Sequence, residues 1–149
     1  MMTMVRRTLA VLLLLGVAGG ASAIDYRSVD VPAAILYDAP SQKGKKLYLI
    51  KAQTPVEVVV RLEGWFKVRD AEGTLAWIES RQVSERRTLI VTAARAEMHQ
   101  ADKPEAPVLG QLEKWVAVDF VEAASPGWAK IRLRDGSVGY VRANQVWGL

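Results

Sequence analysis

Residues Gly64–Val83, GWFKVRDAEGTLAWIESRQV, and Gly127–Val146, GWAKIRLRDGSVGYVRANQV, align with each other without a gap. Seven positions are identical: Gly64/Gly127, Trp65/Trp128, Lys67/Lys130, Arg69/Arg132, Gly73/Gly136, Gln82/Gln145 and Val83/Val146. Many others keep their physical type, among them Val68/Ile131, Leu75/Val138, Trp77/Tyr140 and Ile78/Val141. An internal repeat at fixed spacing means one supersecondary unit made twice, and it constrains the fold before any single residue does. The unit here is short, rich in β-branched and aromatic residues, and punctuated by glycine. It reads as a small β module.

Strand side chains alternate between two faces. In Trp65–Arg69 this sets Phe66 and Val68 against Trp65, Lys67 and Arg69; in Trp128–Leu133 it sets Ala129 and Ile131 against Trp128, Lys130 and Arg132. One face is core and the other wet. Pro55–Arg61 and Trp115–Glu122 are the strongest strand candidates, dense in Val and aromatics. Leu47–Ile50, Val108–Leu112, Leu75–Ile78 and Val138–Val141 read as shorter strands, and Asp135-Gly136 as a hairpin turn. Each module opens on a strand, Ser28–Val31 or Arg87–Thr92, and the stretches Tyr37–Ser41 and Ala96–Pro107 carry the Pro/Asp/Ser chemistry of loops. Five or so short strands per copy argue for a small closed barrel, which removes exposed edges. Ser84-Glu85-Arg86 is nearly all the linker there is, so the modules are expected to pack on each other; at roughly 60 residues, one core alone is marginal.

The amino terminus reads as a secretory signal. Arg6 and Arg7 form its basic region, Leu9–Val17 its apolar stretch and Ala21-Ser22-Ala23 its cleavage site. The apolar run is shorter than the ~20 residues a membrane helix needs. Cleavage after Ala23 gives three segments: residues 1–23 as leader, 24–85 as the first module and 86–149 as the second. The expected location is periplasmic or secreted, with no stable membrane insertion afterwards. Loss of the leader removes two of the four net positive charges, and the basic residues form no dense stripe of the kind nucleic acid requires. Cysteine is absent, so apolar packing has to hold the fold.

The pattern Gly-Trp-x-Lys-Val/Ile-Arg, a hairpin ending in Gly, then Gly/Ala-Trp/Tyr-Val/Ile and a final Val resembles the bacterial SH3-like (SH3b) domain. The second copy carries the closing signature in Gly136, Gly139, Tyr140, Val141 and Val146; the first has Ala76 where the family usually has Gly. The loop Ile35–Ser41 keeps only Pro40 of the family's Asn-Val-Arg-x-Gly-Pro pattern, and Asp102 replaces even that in the second copy. Ile35-Leu36-Tyr37-Asp38 is also similar to the Ala-Leu-Tyr-Asp-Tyr loop of eukaryotic SH3 domains, but Ala39 stands where the second Tyr belongs. The doubled arrangement resembles exported tandem SH3-like proteins of proteobacteria. The resemblance implies an all-β fold of two tandem SH3-like barrels.

No catalytic constellation is legible. The chain has one histidine, His99, and scattered carboxylates; His99 with Asp102 falls short of the three or four ligands a metal needs. His99 reads as a solvated loop residue. We expect no enzyme activity, no metal and no cofactor. The resemblance places Trp65 and Trp128 beside a groove between two long loops, where exposed indoles stack on ligands. The candidate groove residues are Tyr37, Trp65, Lys67, Arg69, His99, Trp128, Lys130 and Arg132. The competing expectation is that both indoles are covered by the other module or by a loop. Trp77 and Tyr140 are expected to face the core, Trp115 and Trp147 to lie between the modules, and Lys43, Lys45 and Lys46 to form a basic loop rim. The implied role is a binding module of the cell envelope, its partner a cell-wall peptide or an envelope protein; the alternative is a periplasmic adaptor or structural protein without a cell-wall ligand.

Overall fold

The computed structural model describes residues 22–149, so the leader expected over residues 1–23 lies outside them except for Ser22 and Ala23. The first sheet contains β1 (Tyr26–Val29), β2 (Ala33–Tyr37), β3 (Lys46–Lys51), β4 (Pro55–Leu62), β5 (Trp65–Arg69), β6 (Leu75–Glu79) and β7 (Val83–Ser84). The second contains β8 (Thr88–Val91), β9 (Arg95–His99), β10 (Val108–Glu113), β11 (Ala117–Ala123), β12 (Trp128–Arg132), β13 (Val138–Arg142) and β14 (Val146–Trp147). Strands lie side by side in the order β3-β2-β6-β5-β4-β1-β7, and β10-β9-β13-β12-β11-β8-β14 repeats that order. All ladders are antiparallel. The fold is all-β, with two SH3-like units in tandem.

Seven strands per sheet exceed the five expected. β7 and β14 have two residues each, too few for any periodicity, and exist because Val83 pairs with Val29 and Val146 with Val91. β2 and β9 run one residue or more into stretches read as loop. Tyr37 and His99 are each held by a partner distant in sequence, Trp77 and Tyr140.

Each sheet encloses its own core. Val29, Ala34, Leu36, Val56, Val68, Ala76 and Ile78 cluster, with Tyr48, Ile50 and Val83 packed against them. Residues from all seven strands meet there, which requires the sheet to curl. Leu89, Val91, Ala96, Met98, Leu112, Val118, Ala129, Ile131, Val141 and Val146 do the same in the second unit. The curl leaves β3 and β7, and likewise β10 and β14, as edges without a ladder between them.

The units meet through the strands that open them. The Ser28 hydroxyl donates to the Arg86 carbonyl at 2.6 Å, and Thr88 Oγ1 lies 2.6 Å from Ser28 Oγ. Arg87 lies between the rings of Tyr26 (5.3 Å) and Phe120 (5.2 Å) and donates to the Gly148 carbonyl at 2.7 Å. Trp147 meets Tyr26 edge to face at 5.1 Å, and Arg134 Nε donates to Gln53 Oε1 at 3.0 Å. Trp147 therefore belongs to the interface, as expected.

Candidate functional site

On β5 the alternation holds: Val68 is buried in the core, while Trp65 and Lys67 lie on the outer face and are half-buried there. What covers Trp65 is the edge of Tyr37, centroid to centroid 5.4 Å at 86°. β6 lies beside β5 with Trp77 opposite Lys67, so Trp77 shares that outer face and its ring lies 6.0 Å from Lys67 Nζ. Trp77 sits between Ala76 and Ile78, both core residues, and period two turns it outward. The expectation that Trp77 and Tyr140 face the core is therefore corrected: Tyr140 lies between Gly139 and Val141 and pairs with Lys130 and His99 on the outer face.

The second unit builds the same cluster with different atoms. His99 takes the place of Tyr37 and meets Trp128 edge to face at 5.1 Å and 86°. Its ring is 2 % exposed, with Nδ1 at 3.1 Å from the Ala106 carbonyl and Nε2 at 3.4 Å from Glu97 Oε2. His99 is thus a strand residue packed under an indole, not a solvated loop residue. A carbonyl oxygen only accepts, so Nδ1 is the donor in the bond to Ala106. Trp128 is only 9 % exposed. His99 covers it from one side and Arg142, its cross-strand partner, lies 4.9 Å from its ring.

The rings and the guanidinium that meet the two indoles come from their own units. A local tie joins two loops beside the second platform. Asp102 Oδ2 accepts the Ser125 N–H at 2.9 Å, Ser125 Oγ donates to the Asp102 carbonyl at 3.1 Å, and the Ser125 carbonyl accepts the Trp128 N–H at 2.9 Å. The long loop after β9 is thereby fastened to the turn that presents Trp128. These bonds, from the Ser125 amide first, hold the Asp102 carboxyl below its ordinary 3.8. In the first unit the loop after β2 is tied instead to the end of β6, with Gln42 Nε2 donating to Glu79 Oε1 at 3.2 Å. Glu79 stands opposite Trp65, where the second unit has Arg142 opposite Trp128. The Glu79 carboxyl is held below its ordinary range, chiefly by Arg81 at 2.7 Å.

The other candidates divide. Arg69 is turned to β4, donating to Glu57 Oε2 at 3.0 Å, and Lys130 Nζ lies 3.5 Å from Glu122 Oε1. Arg132 is exposed and forms no ion pair among the described residues. Arg142 and Glu79 were missed in the sequence, although the register of the hairpin places each directly across from its tryptophan. Among the described residues no three His, Cys, Asp or Glu side chains gather as a metal site, and no helix is long and apolar enough to cross a membrane.

Residues 30–85 match the bacterial SH3 domain family. That span runs from just after β1 to just past β7, so the matched segment includes the Tyr37, Trp65 and Trp77 cluster. No curated protein matches the chain. Among solved structures the chain is similar to NlpC1 from Trichomonas vaginalis, at 13% identity over 92% of this chain and 50% of that one, with a TM-score of 0.39. NlpC2 from the same organism shares 13% identity over 83% and 48%, with a TM-score of 0.38. An NlpC/P60 family protein from Bacillus cereus shares 16% over 82% and 55%, with a TM-score of 0.38. The chain spans about half the length of these structures.

Proposed function

We propose that the protein is a non-catalytic, exported binding module of the cell envelope that recognises cell-wall peptide. Its reader is the platform of the bacterial SH3 domain. One observation carries the reading: Trp65, Trp77 and Lys67 lie together on the outer face and stay accessible, whereas the equivalent Trp128 is closed in. An indole held by Tyr37 is already fixed, so binding costs little side-chain entropy, and its free face can stack on a peptide plane while excluding water. Lys67 beside the indoles supplies a positive charge for the carboxylates of such a peptide.

Retention on purified sacculi tests this. The mature chain is expected to be retained and Trp65→Ala to lose most of that retention. Failure of the wild-type chain to be retained, with an unrelated cell-wall binder retained alongside, removes the cell-wall ligand. Fractionation of cells expressing the full chain tests export, with recovery of an uncleaved cytosolic form as the contrary result.

A further inference from the structure

A second concave surface lies between the two units, away from both aromatic platforms. It has a volume of about 730 Å³, and its walls include Leu49, Ile90, Leu112, Trp115, Val116 and Leu133. The first unit lines it with five consecutive residues, Tyr48 to Ala52. Opposite faces of a strand take alternate residues, so consecutive lining means that the cleft runs along the edge of β3. That edge is unpaired. Ala52 N donates to Pro32 O at 3.1 Å, across from it in the β2–β3 register. Antiparallel pairs alternate between bonded and non-bonded, so Ile50 and Tyr48 turn their peptide groups to β2. Leu49 turns its N–H and carbonyl into the cleft and Lys51 its N–H, while the Lys51 carbonyl accepts from Thr54 at 3.3 Å.

Two features of the opposite wall bear on what fits. Trp115 has φ of +69°, the left-handed region that bulky side chains avoid. The turn itself imposes this φ, because Gln53 has +67° at the equivalent place and both amides donate to the opening strand at 2.8 Å. An indole is nevertheless kept there, 44 % exposed. The charges are also unbalanced. The Asp70 carboxylate is occupied by the Tyr48 hydroxyl and the amides of Glu72 and Thr74, each at 2.9 Å. Arg134 meets only neutral Gln53, and neither it nor Lys51 forms an ion pair among the described residues. Lys114 Nζ lies 4.7 Å from the Trp115 ring. Glu72 is the one carboxylate of the lining left to oppose them.

We infer that this cleft binds an extended peptide segment of alternating apolar and acidic residues, added as a strand to the free edge of β3. Its backbone bonds to the Leu49 N–H and carbonyl and to the Lys51 N–H, its apolar side chains lie against Trp115, Leu112 and Val116, and its carboxylates face Lys51 and Arg134. Main-chain bonds give such a site affinity and side-chain pockets give it selectivity. The inference stands apart from the aromatic platform and does not rest on it.

The test uses the mature chain and a blocked peptide, acetyl-Glu-Val-Glu-Leu-Glu-Val-amide, followed by amide NMR and Trp fluorescence. Saturable shifts at the Leu49 and Lys51 amides are expected. Arg134→Glu should weaken binding at least tenfold, as should Lys in place of every peptide Glu. Leu49→Pro removes the edge N–H at a position where an edge strand tolerates proline, and should abolish binding that Leu49→Ala retains. N-methylation of the peptide backbone makes the same test without altering the protein. The inference is overturned by absence of binding, by binding indifferent to Arg134→Glu and N-methylation, by binding lost in Trp65→Ala alone, or by sedimentation showing a second copy of the chain on the edge. Loss of sacculus retention in Trp65→Ala with peptide binding intact separates this site from the platform.

Discussion

Tyr37 and Trp65 meet edge to face, 28 residues apart in sequence but joined through β6 in the same sheet, with ring centroids 5.4 Å apart. The second unit keeps the geometry and changes the chemistry, with His99 for Tyr37. The two copies therefore share a scaffold while their outer faces have diverged, and substitutions at equivalent sites should not have equivalent effects.

Trp65→Ala and Trp128→Ala provide the first comparison. Trp128 is buried, so its truncation should cost about 3–5 kcal/mol. Trp65 is half-buried and outside the core cluster, and its loss should cost about 1–2 kcal/mol, mostly the edge-to-face contact and partial burial. Urea unfolding of both variants checks the order; equal costs would contradict the difference in access.

Gly139 and Ala76 occupy the same place, and their neighbours explain the difference. A Cβ on Gly139 would lie 2.5 Å from Met98 Cγ. The first unit has Leu36 at the Met98 position and accommodates Ala76 in its core. Gly139→Ala should therefore destabilise by about 1–3 kcal/mol through overpacking. Met98→Leu in the same chain should recover much of that loss, and a thermal denaturation cycle of the four proteins measures it. Additive losses would show that the nearby His99 carbonyl, at 3.0 Å, is the obstacle instead.

The Asp102–Ser125 tie should depend on pH with a definite sign. Its carboxyl is depressed in the folded chain, so the charged form is the one folding favours. The contribution is complete above the ordinary 3.8 and is lost as pH falls through the lower folded value. The Ser125 amide resonance should stay fixed from neutral pH down to about that point, then move. Asp102→Asn should remove the titration; an unchanged profile would assign it to another group.

The hydroxyl pair between the units can be tested by a cycle. Ser28 Oγ gives its proton to Arg86 and so accepts from Thr88. Ser28→Ala removes the partner of the buried Thr88 hydroxyl and of the Arg86 carbonyl and should cost about 1–3 kcal/mol. Thr88→Val should cost less, because Ser28 keeps its bond to Arg86. Calorimetry of both singles and the double, with coupling near zero, would contradict a direct bond.

The hairpins were legible because period two separates Val68 and Ile131 from the tryptophans beside them, and the repeat made each reading twice. The same rule, anchored on Ala76 and Ile78, would have turned Trp77 outward; the apolar character of the strand end outweighed it. Tyr37 and His99 read as loop because Asp and Pro follow closely, and the pairings with Trp77 and Tyr140 that extend the strands are long-range. The uneven access of the two platforms follows in part from the hairpin, which sets Arg142 over Trp128 but Glu79 opposite Trp65; the contact of His99 with Trp128 spans 29 residues, and no periodicity carries that.

The enclosure of Trp128 beneath His99 and Arg142 has an arithmetic consequence for a duplicated chain. Avidity needs two receptive sites on one molecule, and with Trp128 enclosed the duplication doubles the framework without doubling the valency. Titrations at the platform should saturate at one equivalent per polypeptide, and any gain from multivalent attachment would have to come from assembling several chains.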